Sequence, residues 1–325
     1  MKEKRLFRFG VIVLSIVLVA CTGGSSEAGC PAIDGREINV VATTPMIGEF
    51  VSQVGGDNIN LTVLMPAEAD PHNYDPSPQD AGKIADADLV FYTGLRYEPS
   101  ALVKLLENSA CSSEVLAEVG ENVFPIEFKE EGHDDHDEEG HDDHEGHDHG
   151  AYDPHFWFDP NRVSYAAEYI ESKLVEFDPS NASDYEAAGK AYVTELKGLV
   201  SQVSELISTI PSQNRKLITT HESLGYLEAK FGLEVLSTII PSFDSANEIS
   251  PSQLVGVIDV IEDNNVKVIF IEAEAPSVYA DTIVSETGIK AVEGLWVETL
   301  KEGQSYPEFL FEAVELIVEN LTNTD

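Results

Sequence analysis

The histidines are the residues of this chain with the clearest capacity for chemistry, and they are unevenly distributed. The chain has nine. Six of them lie in one acidic run, at His133, His136, His141, His144, His147 and His149. Only His72, His155 and His221 remain for the rest of the protein. Imidazole is a common ligand for zinc and neighbouring divalent metals, so the first question is whether these three meet in the folded chain.

The acidic run covers residues 130–150 and holds eleven Asp and Glu residues with no Lys or Arg. It has almost no apolar side chain to pack, which is typical of a solvated loop. One hypothesis is that its histidines collect zinc loosely, with weaker affinity than a built site. The alternative is an acidic loop whose histidines have little role. Directly after the run the composition changes, and His155 is followed by Phe156, Trp157 and Phe158, the material of a buried site.

The elements that must position the three isolated histidines alternate between strands and helices. In the first half we predict strands over residues 38–43, 60–65 and 89–92, a weak strand over 122–126, and helices over 45–54, 79–85 and 99–107. In the second half we predict strands over 216–220, 234–239, 266–272 and 290–292, and helices over 223–231, 251–262, 276–287 and 306–321. This alternation predicts an α/β protein with two parallel-sheet lobes of about four βα units each.

Two further helices are predicted between the halves, over residues 161–177 and 181–210. The second would be about 40 Å long, which is unusual for a helix inside one globular core. Its length suggests a spine that joins the lobes. The domain plan is therefore a first lobe over residues 36–180, a linker helix over 181–210 and a second lobe over 211–325.

All three isolated histidines fall where predicted strands end. His72 follows the second strand, His155 follows the fourth, and His221 comes directly after the first strand of the second half. Ligands bind outside the carboxyl ends of the strands in open parallel sheets, so we expect the three imidazoles to converge. Three imidazoles suit Zn²⁺ with an oxygen in the fourth position. Spacing leaves the oxygen donor open, with Glu272 first by position alone, among the candidates Glu222, Asp244, Glu272, Glu274 and Glu298.

The amino terminus predicts export and a lipid anchor. Residues 1–20 combine a basic start with an apolar stretch too short for a comfortable membrane span, as in a signal peptide. The stretch ends in Leu-Val-Ala before Cys21, which resembles a lipoprotein cleavage site. We therefore expect a lipid on Cys21, a tether over residues 21–35, and a protein held outside the cytoplasm at a membrane surface. In that compartment Cys30 and Cys111 could form a disulfide or remain unpaired.

The net charge of −40 excludes one class of partner. Nucleic-acid binding needs Lys and Arg to displace counterions from the phosphate backbone, so a nucleic-acid partner is not expected. An acidic surface fits a protein that handles cations or one that lives in high salt, and charge does not choose between them.

Four ordered motifs resemble one known family. They are DPHNYDPSPQD at residues 70–80, DPHF at 153–156, Thr-His at 220–221 followed by LGYL and FGL, and EISPS at 248–252. They are similar to motifs of the zinc and manganese solute-binding lipoproteins of ABC transporters, cluster A-I, over roughly residues 36–323. The acidic His-rich insertion is similar to that of the high-affinity zinc-uptake binding proteins. The resemblance implies two Rossmann-like (βα)4 lobes joined by a long rigid helix, with the metal in the cleft between them.

The resemblance also implies a ligand set. The family histidines correspond to His72, His155 and His221, and the last ligand, usually an aspartate, corresponds to Glu298. This departure leaves two arrangements open, with Glu298 as a direct ligand or with a water in its place. Manganese-type members tend to carry Glu at the position of His221, so this set favours Zn²⁺ as the transported ion, with Mn²⁺ as the alternative.

The expected function is capture of zinc outside the cytoplasm and delivery to an ABC permease in the membrane, by a protein expected to be a monomer. Three histidines and a carboxylate would also describe a zinc hydrolase, in which an open coordination position activates water. The sequence contains neither an HExxH nor a GxSxG motif. We therefore do not expect an enzyme.

Overall fold

The computed structural model describes residues 30, 33, 35–127, 152–245, 247–274 and 278–322. The predicted signal peptide, the predicted lipid site Cys21 and the His-rich run at 130–150 lie outside the described residues. Among the helices that are described, none is both long and apolar enough to cross a membrane.

The first sheet contains four parallel strands in the order β2-β1-β3-β4. The strands are β1 (Ile38–Ala42), β2 (Ile59–Val63), β3 (Leu89–Tyr92) and β4 (Leu116–Glu118), and the intervening helices are α1 (Pro45–Gly55), α2 (Pro78–Ala85) and α3 (Ser100–Ser109). Thr44 caps α1, and Ser77 forms a capping box with Asp80 at the start of α2. Both helices have proline in the first turn, where its missing N–H costs nothing.

The prediction of a fourth strand over residues 122–126 was wrong. The fourth strand is β4, which pairs with β3 through Val90 and Leu116. Residues 120–123 instead form a single 3₁₀ turn. Phe124 follows in a left-handed conformation with 68% of its surface exposed, so this apolar stretch does not enter the sheet. A three-residue edge strand carries too little alternation to be detected, and the apolar residues after it were the stronger signal.

Two long helices connect the halves, α4 (Pro160–Phe177) and α5 (Ala182–Ser208). The 27 residues of α5 correspond to about 40 Å. Buried residues recur along α5 at helical spacing, at Tyr185, Tyr192, Leu196, Leu199, Val203 and Ile207. Apolar residues at this spacing in the sequence predict the helix. In the structure they face α4, α1 and α9.

The second sheet repeats the topology of the first, with strand order β6-β5-β7-β8 and parallel pairing. Its strands are β5 (Lys216–His221), β6 (Glu234–Ile240), β7 (Val268–Glu272) and β8 (Lys290–Leu295), and its helices are α6 (Gly225–Phe231), α7 (Pro251–Asn264), α8 (Ala280–Thr287) and α9 (Tyr306–Thr322). Ser250 and Gln253 form a capping box on α7. His221 is the last residue of β5 instead of the first residue after it. The predicted class of two parallel α/β lobes joined by a long helix is confirmed.

One hydrophobic core runs through both lobes. It extends from Ile38 in β1 through the apolar face of α5 to Phe270 in β7 and Leu310 in α9. Each lobe also has one smaller hydrophobic cluster of its own. Because a continuous close-packed core resists shear, the lobes are coupled as one body.

At the edge of the first lobe, the sulfurs of Cys30 and Cys111 are bonded, with 5.1 Å between the Cα atoms. The bond closes a loop across a sequence separation of 81 residues. It fastens the start of the described chain to the segment that follows α3.

Candidate metal centre

His72, His155, His221 and Glu298 meet between the lobes. One potential ligand atom from each lies within 4.8 Å of all the others. The Nε2 atoms of the three histidines, in chain order, lie 3.4, 3.2 and 2.7 Å from Oε1 of Glu298. Ligand atoms in a tetrahedral zinc site are about 3.3 Å apart, as zinc bonds of about 2.0–2.1 Å require. The cluster therefore has the size of a site for one small cation.

Three of the four side chains lie at or after the end of a strand, and His155 lies farther along the chain, just before α4. His72 lies in a 3₁₀ turn after β2, where the carboxylate of Asp70 accepts from its backbone N–H at 3.0 Å. His155 precedes a fully buried 3₁₀ turn that leads into α4. His221 ends β5, and Glu298 follows β8. The three imidazoles lie close together, with ring centroids 5.2–6.4 Å apart, but the strand predicted just before His155 does not form.

Carboxylates behind two of the imidazoles fix their orientation. Oδ1 of Asp153 lies 2.8 Å from Nδ1 of His155, and Oε2 of Glu272 lies 2.5 Å from Nδ1 of His221. A carboxylate at Nδ1 favours the tautomer with the proton on that nitrogen. The Nε2 lone pair is then directed into the cluster, which is the arrangement that metal-binding histidines use.

The position-based first choice of Glu272 as the oxygen donor was wrong. Its carboxylate is occupied by His221 Nδ1, by the backbone N–H of His221 at 3.2 Å and by the hydroxyl of Ser223 at 3.0 Å. Glu272 therefore supports a histidine from behind and does not point into the cluster.

The other candidates for the oxygen donor also have different surroundings. Glu222 accepts from the hydroxyl of Thr238 at 2.9 Å. Glu274 accepts backbone N–H groups, and Asp244 lines a cavity beside His72. Among the five candidates, the described cluster contains Glu298 alone.

The cluster is buried and leaves polar atoms without partners. The side chains of His155, His221 and Glu298 are fully buried, and that of His72 is 4% exposed. Among the described residues, Nε2 of His72 and Nε2 of His221 are buried without a hydrogen bond of acceptable geometry. Unpaired buried polar atoms are unfavourable, so their presence fits a site whose nitrogens are meant for a cation.

Nearby carboxylates raise the pKa of two imidazoles of the cluster, those of His155 and His221. Burial lowers the pKa of His155, but the charge of Glu298 and the hydrogen bond to Asp153 outweigh it and raise the value to about 9. The pKa of His221 is raised well above its ordinary value, against burial, by Glu272 and Glu298. Burial raises the pKa of Glu298, yet the three nearby imidazoles bring it well below the usual range. The site therefore holds an ionised carboxylate beside two imidazoles, His155 and His221, that a divalent cation must deprotonate.

Two aromatic residues complete the wall of the site: Trp157, which belongs to the buried stretch predicted after His155, and Tyr97, which the sequence interpretation missed. The hydroxyl of Tyr97 lies 2.9 Å from both the carbonyl oxygen and Oε2 of Glu298. The indole N–H of Trp157 donates to the carbonyl of Val297 at 2.8 Å. Tyr97 follows β3, so the strand-end rule that located the histidines could also have located this tyrosine.

One cavity reaches the cluster at His72. A cavity of about 580 Å³ lies beside His72 and is lined by residues of both lobes, among them Tyr97, Lys104 and Asp244. The other three members of the cluster do not line it. His72 is therefore the member nearest to solvent.

Comparisons with known proteins agree with this geometry. The family model "ZnuA: Zinc-uptake complex component A periplasmic" matches residues 40–320. The chain is 32% identical over 321 residues to the high-affinity zinc uptake system protein ZnuA of Bacillus subtilis (strain 168), and the match covers 96% of each chain. It is 28% identical over 328 residues to the manganese ABC transporter substrate-binding lipoprotein PsaA of Streptococcus anginosus, covering 98% of this chain and 99% of that one.

A solved structure shares the fold. The periplasmic zinc binding protein TroA from Treponema pallidum superimposes with a TM-score of 0.74 at 22% sequence identity, over 88% of this chain and 100% of that one. The donor set, the two-lobe fold and the family match point to the same class of protein. The chain belongs to the family of zinc-uptake complex component A, the extracytoplasmic, non-catalytic lipoproteins that bind divalent metal for uptake through ABC transporters.

Proposed function

We propose that this protein captures one Zn²⁺ ion between its lobes and delivers it to an ABC permease, with His72, His155, His221 and Glu298 as the ligands. The observation that carries the proposal is the convergence of three imidazole Nε2 atoms on a single buried oxygen of Glu298. Donor spacing close to a tetrahedral edge supports a four-coordinate ion.

Zinc is favoured over manganese by the donor types. The cluster offers three imidazole nitrogens and one carboxylate oxygen. Imidazole suits zinc, whereas manganese prefers carboxylates, carbonyls and water. The relative from Bacillus subtilis, which is described as a zinc uptake protein, supports this choice. Mn²⁺ is the second candidate, because relatives of comparable coverage are described as manganese-binding.

We propose that Glu298 binds the ion directly, through one oxygen. Its Oε2 atom is engaged by Tyr97, and its Oε1 atom faces the three imidazoles. The additional methylene of glutamate, relative to the aspartate that the family usually carries, is accommodated because the side chain is fully buried and held at both oxygens. This arrangement leaves no need for a water in the fourth position.

The sequence also supports proposals about the membrane anchor and the acidic run. A lipid on Cys21 and the tether over residues 21–35 would hold the monomeric protein at the membrane, within reach of the permease. The histidines of the run at 130–150 would collect zinc loosely, with weaker affinity than the cluster. Because one core runs through both lobes, release would use small lobe shifts and loop ordering instead of wide hinge closure.

The metal content of the purified protein tests this proposal. Protein prepared without chelator should contain one zinc per chain by mass spectrometry, and His72→Ala and Glu298→Ala should each lose most of it. His149→Ala, in the acidic run, is the matched control and should keep the zinc.

Selectivity needs a second measurement, in which zinc and manganese compete at equal concentrations. A preference for manganese would favour the second candidate. Full metal content in Glu298→Ala would refute the direct role of that residue. A wild-type protein that retains no divalent metal would refute the function itself.

A further inference from the structure

The segment that carries Glu298 has its backbone polar groups divided between the two lobes. It lies between β8 and α9, where no strand ladder or helix holds it. Its carbonyl groups accept hydrogen bonds from the first lobe and the aromatic turn before α4. The donors are Trp157 Nε1 to Val297 at 2.8 Å, the Tyr97 hydroxyl to Glu298 at 2.9 Å and the Glu68 N–H to Leu300 at 3.2 Å.

Three successive N–H groups of the same segment donate to one side chain of the second lobe. Oε1 of Glu274 accepts from three successive residues, Val297 at 3.0 Å, Glu298 at 2.9 Å and Thr299 at 3.2 Å. Oε2 adds a longer contact to Val297 at 3.3 Å. Successive N–H groups gathered around one acceptor oxygen form a compact and specific backbone arrangement.

Glu274 lies two residues beyond Glu272, the last residue of β7. Glu272 holds the imidazole of His221 at Nδ1, while Glu274 holds the backbone of Glu298. One strand end therefore supports both of the cluster residues that the second lobe contributes. The support differs in kind, because one carboxylate orients a side chain and the other fixes a peptide segment.

We infer that Glu274 is a positioning residue for metal capture, which fixes the Glu298 peptide so that Oε1 of Glu298 points at the three imidazoles. The inference rests on the proposed function of the cluster. Glutamate has a long side chain with several rotatable bonds, so the position of its oxygen depends on a fixed backbone. Without Glu274, the backbone hydrogen bonds of residues 297–300 would all be to the first lobe, and the Glu298 peptide would lose its hydrogen bond to its own lobe.

The test compares three substitutions of Glu274. Glu274→Ala removes the acceptor and should weaken zinc binding by about 10- to 100-fold, the usual effect of losing a group that orients a ligand. It should also change the visible spectrum of bound Co²⁺, which reports coordination geometry. Glu274→Gln keeps an oxygen for the three shorter contacts and loses only the longest, so its affinity should fall by no more than about threefold. Glu274→Asp retracts the carboxylate, so its zinc affinity should lie between those of Glu274→Ala and Glu274→Gln.

Asp88→Ala is the matched control. Asp88 is also a buried carboxylate that accepts a backbone N–H, from Asn39 at 2.7 Å, but it lies at the amino end of β3, away from the cluster. Its loss should lower stability and leave the zinc affinity and the Co²⁺ spectrum unchanged.

The outcomes separate the inference from the function. Wild-type affinity and spectrum in a folded Glu274→Ala would overturn the inference, as would equal losses in Glu274→Gln and Glu274→Ala. If Glu274→Ala does not fold, Glu274→Asp decides, and an unchanged Co²⁺ spectrum there would overturn it. A wild-type protein that binds no zinc would instead refute the proposed function.

Discussion

The hydroxyl of Tyr97 lies 2.9 Å from Oε2 of Glu298, while Oε1 of the same carboxylate faces three imidazoles. The two oxygens of one side chain thus have different partners, a phenol from one lobe and the cluster centre. Burial and the charge of Glu298 raise the pKa of Tyr97 well above its ordinary value, so the phenol keeps its proton as a donor. Such a division favours binding through a single oxygen, and therefore a low coordination number.

Removing this hydroxyl should alter selectivity. In Tyr97→Phe, Oε2 of Glu298 loses its donor and becomes free to bind the ion as a second oxygen. We expect zinc affinity to fall by about tenfold and the ratio of manganese to zinc affinity to rise, since manganese accepts more oxygen ligands. Competition titrations with a metal-sensitive dye would measure both affinities.

A matched control for that change is Tyr185→Phe. Tyr185 is also fully buried, and its hydroxyl donates to a carboxylate, Asp178, at 2.8 Å, but it lies on α5. It should lose about 1 kcal/mol of stability and keep the wild-type metal affinities. An unchanged affinity ratio in Tyr97→Phe would show that the phenol does not control the binding mode.

The carboxylates that contact Nδ1 of His155 and His221 should affect zinc affinity nearly as much as the imidazoles themselves. We expect Asp153→Ala and Glu272→Ala each to weaken zinc binding by about 10- to 100-fold, because the ring that each one orients loses its fixed tautomer. Isothermal titration calorimetry would measure the loss.

Glu222→Ala provides the comparison, because Glu222 follows His221 in sequence but bonds Thr238 and no imidazole. A loss in Glu222→Ala as large as that in Glu272→Ala would contradict the role assigned to the Nδ1 contacts.

The pH dependence of zinc binding should reflect the raised pKa of about 9 at His155. Zinc needs neutral imidazole, so binding must release a proton at any pH below that value. We expect the apparent affinity to keep rising from about pH 6.5 to about pH 9, instead of levelling off near the ordinary imidazole value. A plateau reached near neutral pH would contradict the raised pKa.

The stability of the metal-free protein should change in the opposite sense. A folded-state pKa of His155 above its unfolded value means that the protonated ring stabilises the fold. That contribution is fully present below about pH 6.5 and is lost as the pH rises through about 9. Calorimetry should show the melting temperature of the metal-free protein falling across this window, and that of the zinc-loaded protein changing less.

Deleting residues 130–150 should leave the cleft site intact. The described cluster is built without any residue of that run, so one tight site should remain in the shortened protein. Only weaker binding events with variable stoichiometry should disappear from the titration. Loss of the tight site on deletion would show that the acidic run contributes to it. The cleft site and the run would then not be independent.

The sequence located the three histidines of the cluster because parallel α/β topology restricts where ligands can lie, whereas Glu298 was located by motif resemblance alone. Once the alternation of strands and helices was recognised, His72 and His221 fell at the ends of strands of the first and second sheet, where ligands of open parallel sheets bind. His155 was placed after a strand over residues 122–126 that does not form. The repeat of Tyr185, Tyr192 and Leu196 likewise predicted α5, since helical periodicity is a local property. The edge strand β4 was misplaced, because three residues carry almost no periodic signal.

What the sequence by itself determined is the class of fold, the edge at which the chemistry lies and, through motif resemblance, the family. Only the tertiary structure decided how the acidic residues at that edge divide their roles. Glu272, Glu274 and Glu298 lie within reach of one another along the same edge, yet one orients a ring, one holds a peptide segment and one enters the cluster. Strand-end position fixes where a side chain begins, whereas its direction and partners depend on packing between the two lobes.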